Sequence, residues 1–158
     1  MLRSALWIIL ICLVLAGVYL AVAQSPESPS WISGRAKELS GPANRIDKSN
    51  IHVYPDRVVI DIKDPQWATF ADTNSMDPVF DNGNFAIEVV PKSQGDIHIG
   101  DIISYDSFFA SGTLVHRVVE IGDDGEWYAI AKGDNNPDAD PGKVRFGQVR
   151  RVMAMIIY

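Results

Sequence analysis

Residues 5–23 read ALWIILICLVLAGVYLAVA and carry no charged side chain. As a helix rising about 1.5 Å per residue, a run of this length nearly crosses the roughly 30 Å hydrocarbon core of a bilayer. The sequence therefore divides into an expected transmembrane anchor over 5–23 and a polar remainder. Arg3 precedes the run and the uncharged-to-acidic QSPESPS follows it. Positive charge on that side alone places the N-terminus in the cytoplasm and the remainder outside it. Ala21, Val22 and Ala23 also form an Ala-x-Ala cleavage pattern before Gln24. A cleaved signal peptide has an apolar region of about 7–15 residues, so the longer run here favours an uncleaved, single-pass anchor. Either reading exports the remainder. The sole cysteine, Cys12, lies in this run. It allows no intrachain disulfide and no zinc site built from several thiolates, and reads as a small apolar side chain.

Residues 24–50 carry SPESPS and SGP, a turn-rich composition that reads as a juxtamembrane stalk. From about residue 51 the pattern changes. Short runs rich in Val, Ile, Tyr and Phe, at 57–62, 66–71, 84–90, 101–105, 113–121, 126–132 and 148–157, are divided by Gly, Asp, Asn and Pro. That spacing predicts an all-β domain over 51–158, with Gly122-Asp123-Asp124-Gly125 as a hairpin turn. The formal net charge is −6 and the pI about 4.9. A nucleic-acid binder needs a basic face, so that class is set aside. The dense basic cluster, Lys143, Arg145, Arg150 and Arg151, reads as a solvated strand face.

Three motifs carry chemistry. Thr73-Asn74-Ser75-Met76-Asp77-Pro78 is a polar turn after a strand, with a serine at its apex. Most turn serines merely hydrogen-bond nearby backbone. Leu114-Val115-His116-Arg117-Val118 sets a histidine inside an apolar β run, where it is either a packed strand residue or a base on a rigid element. His52 and His98 sit in loop-like contexts and read as surface residues. Lys132-Gly133-Asp134-Asn135-Asn136-Pro137-Asp138-Ala139-Asp140 is a tight acidic turn, without the spacing of a calcium-binding EF-hand.

In order, SM-x-P, IGD, HRV and KGDNN-x-x-x-D resemble the boxes of type I signal peptidases of the archaeal and endoplasmic-reticulum kind. The resemblance runs from Asp72 to the end; HRV and GDNN are its specific parts, since SM-x-P also occurs in bacterial signal peptidases and self-cleaving repressors. Asp81-Asn82-Gly83-Asn84 departs from the Gly-Asp that relatives often carry there. The resemblance implies a mainly antiparallel, sandwich- or barrel-like β domain at the outer membrane surface. It matches Ser75 to the nucleophile and His116 to the position that is a lysine base in the bacterial branch. Asp140 matches the acid paired with the histidine, Asp134 a second, supporting acid, and Thr73 a hydroxyl that with Ser75 lines the oxyanion hole. No metal or organic cofactor is implied.

The expected activity is that of a serine endopeptidase that removes signal peptides from exported preproteins after small residues. Its expected partners are those preproteins, the bilayer and the translocation machinery. An extended substrate would add a strand beside residues 66–71, with Phe70 and Ala71 lining pockets. Three other readings use the same residues: a protease for one exported protein or for itself at Ala21-Val22-Ala23, an inactive β module that binds extended peptides, and a soluble self-cleaving repressor. The last calls for a lysine base and a DNA-binding helical domain, neither of which is apparent.

Overall fold

A computed structural model of the protein describes residues 11–20 and 39–158. The chain divides into two compact units, Met1–Leu39 and Ser40–Tyr158. In the first, residues 11–20 are helical and exposed. Among the described residues no helix is long and apolar enough to cross a membrane. The rest of the expected anchor, the Ala21-Val22-Ala23 pattern and the stalk up to residue 38 lie outside the described residues.

The second unit is mostly β. Its described strands are β1 (Ile51–Val53), β2 (Val58–Ile60), β3 (Gln66–Thr69), β4 (Phe85–Val89), β5 (Ile102–Asp106), β6 (Thr113–Asp123), β7 (Trp127–Lys132), β8 (Val144–Arg145) and β9 (Val149–Ile157). β1 and β2 form a two-stranded hairpin; the others form one seven-stranded sheet in the order β3-β4-β9-β5-β6-β7-β8. Every pairing is antiparallel.

Side chains alternate across a strand, so neighbouring residues feed opposite faces of the sheet. Ile103, Tyr105, Val118 and Val152 join one core cluster. Ile102 and Met153 join a second, with Met76, Phe80 and Ala86. β5 lies between β6 and β9 and is buried on both faces, which explains its unbroken Ile-Ile-Ser-Tyr run. Glu88 is also buried, where it accepts the Ser104 hydroxyl.

The segment read as stalk ends earlier than residue 50. Asp101, fully buried, accepts the backbone N–H groups of Ala43 and His98 at 2.9 and 2.8 Å and pairs with Arg45. Gly100 has φ +98, and a Cβ there would collide with the Gly41 and Ser40 carbonyls. The Gly-Asp of IGD thus straps residues 40–45 to the start of β5. Two short strands escape the apolar-run criterion. β1 is exposed throughout, and β8 holds only two residues, a buried Val144 and a half-buried Arg145, too few to show an alternation. His52 stands on β1, exposed, 3.1 Å from Asp61. The basic cluster is matched by acids: Lys143 and Arg145 pair with Asp124, and Arg150 pairs with Asp106.

Candidate active site

Ser75 sits on the turn after β3. Two neighbours from that turn, Met76 and Phe80, are buried, and Phe80 stacks on Phe70 with ring centroids 4.1 Å apart. Asn74, just before the serine, has a φ of +55°. Asn tolerates that left-handed conformation better than most residues. The loop after β7 clamps this turn from across the molecule. The Asn135 N–H donates to the Ser75 carbonyl at 2.9 Å, and the Asn135 side-chain amide donates to the Asn74 carbonyl at 3.0 Å. The two motifs therefore form one structure.

His116 extends from β6 and is buried. Its Nε2 lies 3.1 Å from Ser75 Oγ, and its Nδ1 lies 2.6 Å from Asp140 Oδ2. Thr73 Oγ1 is 3.1 Å from Ser75 Oγ. With Asp140 ionised, one set of proton positions satisfies the whole line. His116 Nδ1–H donates to Asp140, Ser75 O–H donates to His116 Nε2, and Thr73 O–H donates to Ser75 Oγ. A serine whose proton points at a neutral imidazole, itself oriented by a carboxylate, is the arrangement of an activated nucleophile.

The other acids of the loop fall elsewhere. Asp134 grips Arg117 through two hydrogen bonds, Nε to Oδ1 at 2.7 Å and Nη2 to Oδ2 at 2.6 Å. Arg117 also donates to the Gly100 carbonyl at 2.7 Å. The bonds to Asp134, ahead of its charge, raise the Arg117 pKa above its ordinary value. Asp134 thus fastens β6 to the loop that carries Asp140 and has its own partner one residue away from His116. Asp138 is exposed. Among the described residues no group of three or more His, Cys, Asp or Glu side chains is gathered to hold a metal.

A cleft of about 440 Å³ opens over Ser75 and His116. Phe70 and Ala71 line one side, with Leu114 and Val115 from β6 and Phe109 from the β5–β6 connection also on its walls. Over residues 113–116, β6 pairs only with β5; its pairing with β7 begins at Arg117. One edge of β6 is therefore free of β7 just where His116 stands.

Tyr105 lies outside every motif of the sequence, yet its hydroxyl donates to Asp140 Oδ2 at 2.7 Å. A tyrosine in a buried strand needs an acceptor for its hydroxyl, and that was the available signal. Asn135 and Arg117 lie inside the motifs, but their sequence context does not show that they hold the serine turn and the acidic loop in place. Comparison with known proteins finds no matching family model, no matching curated protein and no matching solved structure.

Proposed function

We propose that the protein is a membrane-anchored serine endopeptidase of the archaeal and endoplasmic-reticulum signal-peptidase type, cleaving exported preproteins after small residues. The observation that carries this reading is the unbroken line Thr73–Ser75–His116–Asp140 at the floor of an open cleft. Ser75 Oγ attacks the scissile carbonyl as His116 takes its proton. The Ser75 N–H and the Thr73 hydroxyl, freed from Ser75 Oγ, receive the oxyanion; each such donor is worth about 10²–10³ in rate. His116 then passes its proton to the leaving amine. A water, activated by the same imidazole, releases the acyl group from Ser75.

An extended substrate fits between residues 69–71 and the open edge of β6 at 113–116, gaining backbone hydrogen bonds on the way. Met76 and Phe80 already fill the floor beneath it, so pockets for alternate side chains are shallow. The apolar run 5–23 keeps the site at the extracytoplasmic membrane surface and raises its effective concentration near emerging preproteins. The fold is, on this reading, that of the signal peptidases.

The test is cleavage of an Ala-x-Ala preprotein by the detergent-solubilised chain. Replacing the alanine before the bond by leucine is expected to slow cleavage by at least about 10–200-fold, the range that a single methylene is worth in a fitted pocket. Equal rates for both substrates would remove the small-residue rule.

The clamp on the serine turn leads to a second expectation. A Cβ at Gly133 would stand 2.7 Å from the Ser75 carbonyl oxygen and 2.7 Å from the Asn136 amide nitrogen. The carbonyl cannot yield without moving the nucleophile, and a displacement of about 1 Å can cost about 10²-fold in rate. Gly133→Ala should therefore lose most cleavage. Gly95→Ala, whose Cβ meets only Ser93 Oγ at 3.6 Å, should cleave like the wild type. Parallel kcat/KM values for the two variants decide the matter.

A further inference from the structure

We propose that Tyr105 is a positioning residue of the reaction: its hydroxyl, with the His116 imidazole, fixes the Asp140 carboxylate by a second hydrogen bond to the same oxygen. The inference rests on the serine-peptidase reading above and extends it to a residue that none of the motifs contains.

The register makes the convergence possible. Ile103 faces His116 across β5 and β6, and Tyr105 faces Leu114. Residues 103, 105, 114 and 116 thus share one face of the sheet, and Tyr105 and His116 are diagonal neighbours within reach of long side chains. Asp140 comes from neither strand. Its backbone N–H donates to the Ala131 carbonyl on β7 at 2.8 Å, and its side chain reaches the pair from the loop. Asp140 Oδ2 then accepts His116 Nδ1 at 2.6 Å and the Tyr105 hydroxyl at 2.7 Å.

A carboxylate held by one hydrogen bond can still turn about its last torsion, which is broad and roughly two-fold. Turning carries Oδ2 away from the imidazole and lets the ring tilt off Ser75. A second donor on Oδ2, from another strand, removes that freedom. Tyr105 suits the task because it is almost wholly buried, at 1% exposure, on a strand paired on both sides. Its phenol also stays protonated. Burial first, then the hydrogen bond to Asp140 and the charge there, push its pKa well above the ordinary 10.0. Arg117, next to His116 on β6, and Asp134, on the same loop as Asp140, are paired with each other. The outcome is a rigid Asp140 whose free orientation is spent before substrate arrives.

The experiment compares the full chain in detergent as wild type, Tyr105→Phe, Asp140→Asn and the double variant, on an Ala-x-Ala peptide under single-turnover and steady-state conditions. Tyr105→Phe keeps the ring and removes only the donor. Its kcat should fall about tenfold, as expected for a lost hydrogen bond to a charged group, while KM stays within about twofold. The double variant should be no slower than Asp140→Asn alone, because Tyr105 acts through that carboxylate. Thermal melts identify a purely structural phenol, which would lower Tm and leave the kcat of the folded protein unchanged. Unchanged kcat in Tyr105→Phe, or losses that multiply in the double variant, would overturn the inference while leaving the peptidase reading intact. A wild type that cleaves nothing is the separate failure of the peptidase reading, and Tyr105 falls with it.

Discussion

Ser75→Ala is expected to abolish cleavage of an Ala-x-Ala preprotein, with kcat reduced by about 10⁶. On the peptidase reading this hydroxyl attacks, and it lies 3.1 Å from the His116 Nε2 that would take its proton. His116→Ala should cost as much, since a serine without a base is a poor nucleophile. The two losses should not multiply, because the residues act as one unit. Neither change touches the clamp that shapes the turn, which runs through the backbone carbonyls of Asn74 and Ser75. Folding should therefore be preserved, and a melting curve beside the assay checks it. Cleavage by wild type and Ser75→Ala alike would mean that the nucleophile lies elsewhere. Cleavage by neither would favour a protease of narrow substrate range or a peptide-binding module.

The strands were legible where one face is buried. β4 and β7 alternate, and the apolar stretches of β5, β6 and β9 stand out between their turns. The positions of Ser75, His116 and Asp140 were legible only as members of boxes. Nothing in residues 113–121 alone distinguishes a base from a packed histidine. What the sequence hides is convergence. Asn135 and Ser75 are far apart in the chain, and a hydrogen bond between backbone groups leaves no trace in side-chain identity. Tyr105 is hidden differently: its ring serves the core, as any aromatic in a buried strand does, and only its hydroxyl belongs to the site. The division of labour among the three loop acids was hidden as well, because spacing cannot say which carboxylate meets Arg117 and which meets His116.

That division yields the second large effect. Asp140→Asn should lower kcat by about 10⁴, the cost of leaving a catalytic imidazole in the wrong tautomer. An amide nitrogen facing His116 Nδ1 would turn an acceptor into a donor. The ring would then carry its proton on Nε2, where it cannot accept from Ser75. The Tyr105 hydroxyl, which donates to the carboxylate, can turn to accept from that amide nitrogen, so it does not hold an amide oxygen against the ring. Asp138→Ala provides the contrast. Its carboxylate is exposed, and its removal should leave kcat within about twofold, as for most surface substitutions. Single-turnover rates for the two variants decide the assignment. A silent Asp140→Asn beside a dead Asp138→Ala would move the acid to the other end of the loop.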